Sequence, residues 1–164
     1  TINNWIGITG ENMPVNIYGR QSNSGTHSFL KKKLGIEFSE RAKEMNGNAQ
    51  IIEAVKRDES GIGYVGAGYL LPGNFATAHP VKVLKIFSPD NKLAISPLDE
   101  HAIENKQYYF QRPLYQFIRK SAADKVAAFI AFEKSSIGLE IIRKSGYYTL
   151  SEKTGYDITR KGNN

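Results

Sequence analysis

Val15-Asn16-Ile17-Tyr18-Gly19-Arg20-Gln21-Ser22-Asn23-Ser24-Gly25-Thr26 passes from an alternating apolar segment, through a polar loop, into a helical pattern. Residues 15–18 follow Pro14 and read as a short strand. Residues 19–25 hold the Gly, Ser and Asn of a loop. Residues 26–34 read as a short helix closed by Gly35 at the position after the C-cap. A strand that feeds a helix through so short a loop opens an α/β unit.

The loop also concentrates anion-binding chemistry. The first amides of a helix have no intrahelical partner, and the helix dipole places partial positive charge on them. Ser24 and Thr26 add hydroxyls at that point, Gly25 lets a ligand approach the backbone, and Arg20 supplies a guanidinium. Together they suit a tetrahedral oxyanion, with Ser22, Asn23 and His27 as flanking support. Ser and Thr are also ordinary N-caps, and spacing alone leaves anion binding and plain capping both open.

Elements alternate along the rest of the chain. Asn48 caps an expected helix through about Arg57, with Ile51, Ile52 and Val55 as its buried stripe. Residues 62–66 read as a buried strand, and residues 81–87 as another. Residues 88–91 form a turn, from which 93–95 return as a hairpin partner. Residues 108–118 are an extended aromatic stretch whose Pro113 argues against a central strand, and core or inter-lobe packing is the expected role of its rings. Val126, Phe129 and Ile130 mark a helix over 122–133. A further helix covers 137–144 and ends at Gly146, a last short strand covers 147–150, and a polar tail follows from Ser151. The fold class is α/β, a mixed sheet covered by helices.

Composition narrows the function. At 164 residues, 40% hydrophobic and 23% charged, the chain is neither disordered nor fibrous. It has no cysteine, which removes disulfide frameworks, thiol nucleophiles and thiolate metal sites. No apolar run reaches the roughly 18 residues that a membrane span requires. The chain opens at Thr1 without an initiator Met, as expected of a mature form or a fragment that has lost any targeting segment. The net charge of +6 is spread along the sequence, and its one run, Lys31-Lys32-Lys33, fits a solvated helix face. His27, His79 and His101 stand at no metal-ligand spacing, and no cofactor is called for. Neither a nucleophile elbow nor a pair of carboxylates placed for acid–base work is found, so no catalytic residue is assigned and the chain is not expected to be an enzyme. Gly61-Ile62-Gly63-Tyr64-Val65-Gly66 satisfies the dinucleotide pattern G-x-G-x-x-G, but it follows a helix and opens none; tight packing explains its glycines better.

Arg20…Ser24-Gly25-Thr26 resembles the R-x-x-x-S-G-T loop of the phosphate-binding proteins of bacterial phosphate ABC importers. Asn4-Trp5, Asn46-Gly47-Asn48 with Ala54-Val55, residues 61–66, Arg112-Pro113-Leu114-Tyr115, Phe129-Ile130 and Gly146-Tyr147 are similar to further segments of that family, in its order. The resemblance covers about residues 4–150 and implies a two-lobed, periplasmic-binding-protein type II-like fold. Residues 1–107 would be the second lobe and 108–150 a segment returning to the first, with 151–164 a tail and the N-terminal part of the first lobe absent. It also implies that Arg20 pairs with phosphate oxygens, that Ser24 and Thr26 donate hydroxyl hydrogen bonds, and that Gly25 donates its N–H. Recognition without covalent chemistry, delivery to the membrane subunits of an ABC permease, and an exported, periplasmic or lipid-anchored location follow from the same resemblance.

Two departures stand out. Many members of the family hold the arginine with an acidic residue two positions on, where this chain has Ser22. The family's first-lobe loops, including the aspartate that accepts a proton from phosphate, have no counterpart here. Half a site should bind weakly, and surface left uncovered should favour self-association. Without that acceptor, phosphate and sulfate are not separable from the residues alone. A basic nucleic-acid-binding domain is the rival reading, although no nucleic acid is the expected partner. A phosphoryl-transfer enzyme ranks last, because the lysine of G-x-x-x-x-G-K-[S/T] is missing.

Overall fold

The computed structural model describes residues 2–70, 81–90 and 92–149. The chain divides into two compact units, Thr1–Leu84 and Lys85–Asn164.

The first unit begins with the short helix α1 (Ile6–Thr9), whose preceding Trp5 donates its indole N–H to the Ser60 carbonyl at 3.0 Å. The order is then β1 (Asn16–Arg20), α2 (Gly25–Leu34), β2 (Lys43–Met45), α3 (Asn48–Lys56) and β3 (Gly61–Gly63). The strands form one parallel sheet in the order β2-β1-β3, with Tyr18 opposite Lys43 on one side and Gly63 on the other. Parallel neighbours need crossovers, and α2 and α3 supply them. From β1 the chain moves to one flank of the sheet and then crosses to the other, so a topological switch point lies at the carboxyl end of β1. Arg20 ends β1 at that point.

The core of this unit lies between α3 and the sheet. Ile51 and Ile52 are buried as their helical spacing predicts, and Val55 is half-buried. Gly63 passes so close beneath α3 that a Cβ there would lie 2.6 Å from Ile51 Cγ2. Gly35 closes α2 at φ +63°, the left-handed conformation read from the sequence. The Lys31–Lys33 run occupies the last turn of α2, where cations oppose the negative end of the dipole, and Lys31 pairs with Glu37 at 2.6 Å.

The second unit holds an antiparallel pair, β4 (Ile86–Phe87) and β5 (Ala94–Ile95), then α4 (Glu100–Glu104), α5 (Ala123–Lys134) and α6 (Ser136–Lys144). The hairpin read from 81–95 is therefore present but shorter than expected. Asp99 caps α4 by accepting from Ala102 N at 3.0 Å. The α5–α6 elbow turns on Ser135, whose hydroxyl accepts from Gly138 N, and on the buried Gly138 itself.

One expectation is corrected here. Residues 147–149 are not in a strand, and Leu150 and the tail lie outside the described residues. The rings of the aromatic stretch differ in burial. Tyr108, Tyr109 and Phe110 are half-buried and meet edge to face, whereas Phe117 is 94% exposed. Phe129, whose spacing marked the helix α5, is also exposed. The parallel and antiparallel pairings occupy separate ladders, and the α/β class stands.

Candidate functional site

The carboxyl end of β1 delivers Arg20 to the amino end of α2. Ser24 is the N-cap, buried and extended (φ −81°, ψ 132°), and its Oγ accepts the Thr26 amide at 3.2 Å. A hydroxyl that accepts from that amide still has its own proton to donate. The Ser24 amide donates to Gln21 O at 2.9 Å and closes the loop over Ser22 and Asn23, both exposed. Gly25 is exposed as the first helical residue, and Thr26 is half-buried.

Arg20 is held from two other elements. The Tyr64 hydroxyl lies beside its main chain, accepting from Arg20 N at 3.2 Å and donating to Arg20 O at 3.4 Å. Burial pushes that hydroxyl above its ordinary pKa, the Arg20 backbone bond opposes this, and nearby Glu44 adds to the rise; the group stays protonated and keeps its donor. Gly19 makes the approach feasible, since a Cβ there would lie 2.7 Å from the Tyr64 oxygen. At the other end of the side chain, Arg20 Nη1 donates to Asn48 Oδ1 at 3.3 Å. Arg20 Nε is buried with no hydrogen-bond partner, and among the described residues the guanidinium makes no ion pair. An unpaired buried donor costs about 1–3 kcal/mol, so an acceptor placed against Nε is favoured.

A concavity of about 570 Å³ opens beside this arginine. Gly19, Arg20, Ser22, His27, Phe38 and Tyr64 line it, with Lys31 and Lys43 set among Glu37, Glu40 and Glu44. Its aromatic wall is a row of rings: His27 lies 4.4 Å from Phe38, which stacks on Tyr64 at 5.5 Å. Of the residues singled out in the sequence, Arg20, Ser22 and His27 share this wall. Asn23, Ser24, Gly25 and Thr26 stand outside it, at the start of α2. Among the described residues no cluster of His, Cys, Asp or Glu could hold a metal ion.

Sequence reasoning missed the two groups that hold Arg20. Asn48 was expected to cap α3, but Gly47 is the N-cap and Asn48, one position on, turns its amide oxygen to Arg20. Tyr64 sat inside the glycine-rich segment and passed for packing. Partners 28 and 44 residues away leave no local signal. The only hint was that Asn48 and Tyr64 both fall in segments shared with the family resemblance.

The profile of the PBP superfamily domain matches residues 1–135. The chain belongs to that superfamily. It is 28% identical over 156 residues to the phosphate-binding protein PstS of Pseudomonas aeruginosa, a match over 90% of this chain and 46% of that protein. It is 29% identical over 155 residues to the phosphate-binding protein PstS 2 of Streptococcus agalactiae, covering 87% of this chain and 48% of that one. The superfamily fold recurs in an ABC-type phosphate transport receptor from Vibrio cholerae, with a TM-score of 0.64, 20% identity, and coverage of 90% of this chain and 58% of that one. The chain thus spans about half the length of the curated relatives it matches.

Proposed function

We propose that this chain binds inorganic phosphate, as part of an exported solute-binding protein that delivers it to the membrane subunits of an ABC permease. The observation that carries the reading is Arg20: a guanidinium with a buried, unpartnered Nε, beside a helix N-terminus capped by a buried serine. Arg20, Ser24, Gly25 and Thr26 are the ligand-binding residues, with Ser22, Asn23 and His27 in support. The names of the relatives in Pseudomonas aeruginosa and Streptococcus agalactiae support phosphate over other oxyanions. Residues 1–107 serve as the second lobe of that protein and 108–150 as a segment returning to its first lobe. The work is recognition: a dehydrated set of donors selects an oxyanion, and a lost donor is costly.

An amide NMR titration with phosphate, against sulfate and chloride, tests this. Saturable shifts at Ser24, Gly25 and Thr26 are expected in the millimolar range of a half-site, no stronger with sulfate than with phosphate, and lost in Arg20→Ala. A folded spectrum that ignores phosphate, or that answers sulfate more strongly, overturns the reading.

A further inference from the structure

We propose that Asn48 is a positioning residue for Arg20, a neutral brace in place of the carboxylate that position 22 lacks. The inference rests on the reading of Arg20 as the anion-binding side chain. Three observations carry it.

Asn48 is the first residue of α3, where its side chain could serve the helix's own amides; instead Oδ1 accepts from Arg20 Nη1 at 3.3 Å. A carboxamide oxygen that leaves helix capping to reach another element has a different task.

The bond also selects which part of the guanidinium is used. Guanidinium donors form two side-by-side edges, and a bidentate oxyanion needs one of them whole. Asn48 takes Nη1, which leaves the Nε–Nη2 edge. Nε is buried and unpartnered, and among the described residues Nη2 has no hydrogen-bond partner either. Asn48 therefore orients the arginine without consuming the edge that would bind ligand.

The brace is itself anchored. Ile51 and Ile52, three and four residues further along α3, are buried against the sheet that carries Arg20. The Tyr64 hydroxyl fixes the Arg20 main chain at both N and O. Both ends of a side chain with several rotatable bonds are thus set before ligand arrives, which removes ordering cost from binding.

The test reads Arg20 directly, in ligand-free protein and then with phosphate. In the wild-type chain the Arg20 Nε–Hε resonance should be sharp, with a heteronuclear NOE close to that of the rigid backbone. Asn48→Ala should make it mobile while backbone shifts in α3 and β1 stay near wild type. Asn48→Asp, which keeps an acceptor oxygen, should restore the order. In the phosphate titration Asn48→Ala should raise the apparent Kd about tenfold, the loss of roughly one hydrogen bond's worth of preorganisation. An Arg20 side chain as ordered in Asn48→Ala as in wild type, or already mobile in wild type, overturns the proposal. So does a phosphate affinity in Asn48→Ala equal to one measured in the wild-type protein. If wild-type protein shows the predicted order and rescue but no phosphate response, the positioning stands and the function proposed above falls.

Discussion

Asp58 gathers the polar contacts that fix one edge of the sheet in the first unit. Its Oδ2 accepts from the Tyr18 hydroxyl at 2.7 Å and from Asn16 Nδ2 at 2.8 Å, and its Oδ1 accepts from the Ser60 amide at 3.0 Å. The Tyr18 bond is the largest cause holding this carboxyl below its ordinary value of 3.8; burial opposes it, and Asn16, Ser60 and the charge of Lys43 add to it. A folded-state pKa below the unfolded one means that the stabilisation is complete above the unfolded value of 3.8 and disappears as pH falls through the lower folded value. Asp58→Asn should cost about 1 kcal/mol near neutral pH, where solvent screens part of the interaction. It should also flatten the acid limb of stability. Thermal melts of both proteins between neutral pH and about pH 2.5 check this: the two melting temperatures should converge toward the acid end. Parallel curves would show that Asp58 is not the group responsible.

At the scale of elements, local signals were readable and pairing signals were not. The bounds of α2, α3, α5 and α6 followed to within a residue from Gly35, from the spacing of Ile51 and Ile52, from the alanine-rich apolar periodicity of residues 122–133, and from Gly146. Lys43-Glu44-Met45 has no apolar alternation, and β2 exists because β1 offers it a parallel partner. The candidate site divides in the same way. Arg20, Ser24, Gly25 and Thr26 were legible in one loop, whereas Asn48 and Tyr64 reach it only through the packing of α3 and β3. Gly63 links the two levels. A Cβ there would meet Ile51 Cγ2 at 2.6 Å, the Tyr18 carbonyl at 3.1 Å and Val55 Cγ2 at 3.2 Å, so α3 sits on the sheet at a distance that only glycine permits. Gly63→Ala should overpack this interface and destabilise the protein by about 1–3 kcal/mol. Because Asn48 begins the displaced helix, the same change should loosen Arg20. Urea denaturation gives the first quantity and the Arg20 Nε–Hε signal the second. An unshifted midpoint would mean that α3 has room to move.

At the scale of the whole chain, the net charge of +6 and a pI near 9.4 invite the nucleic-acid reading, and salt dependence tests it. Sequence-independent binding of a polyanion needs lysines and arginines gathered on one surface, because each neutralised phosphate adds to the salt slope. Here the one basic run closes a helix and gives Lys31 to Glu37, and the concavity beside Arg20 mixes two lysines with three glutamates. Such an arrangement favours a small anion reaching one guanidinium over an extended backbone lying across the surface. A DNA duplex titrated between about 50 and 200 mM salt should bind weakly, with a logarithmic slope equivalent to no more than about three phosphate contacts. The phosphate-induced shifts at Ser24, Gly25 and Thr26 should change far less over that range, since hydrogen bonds to a buried serine and a buried guanidinium nitrogen are poorly screened. A slope equivalent to about six or more contacts would reverse this ranking.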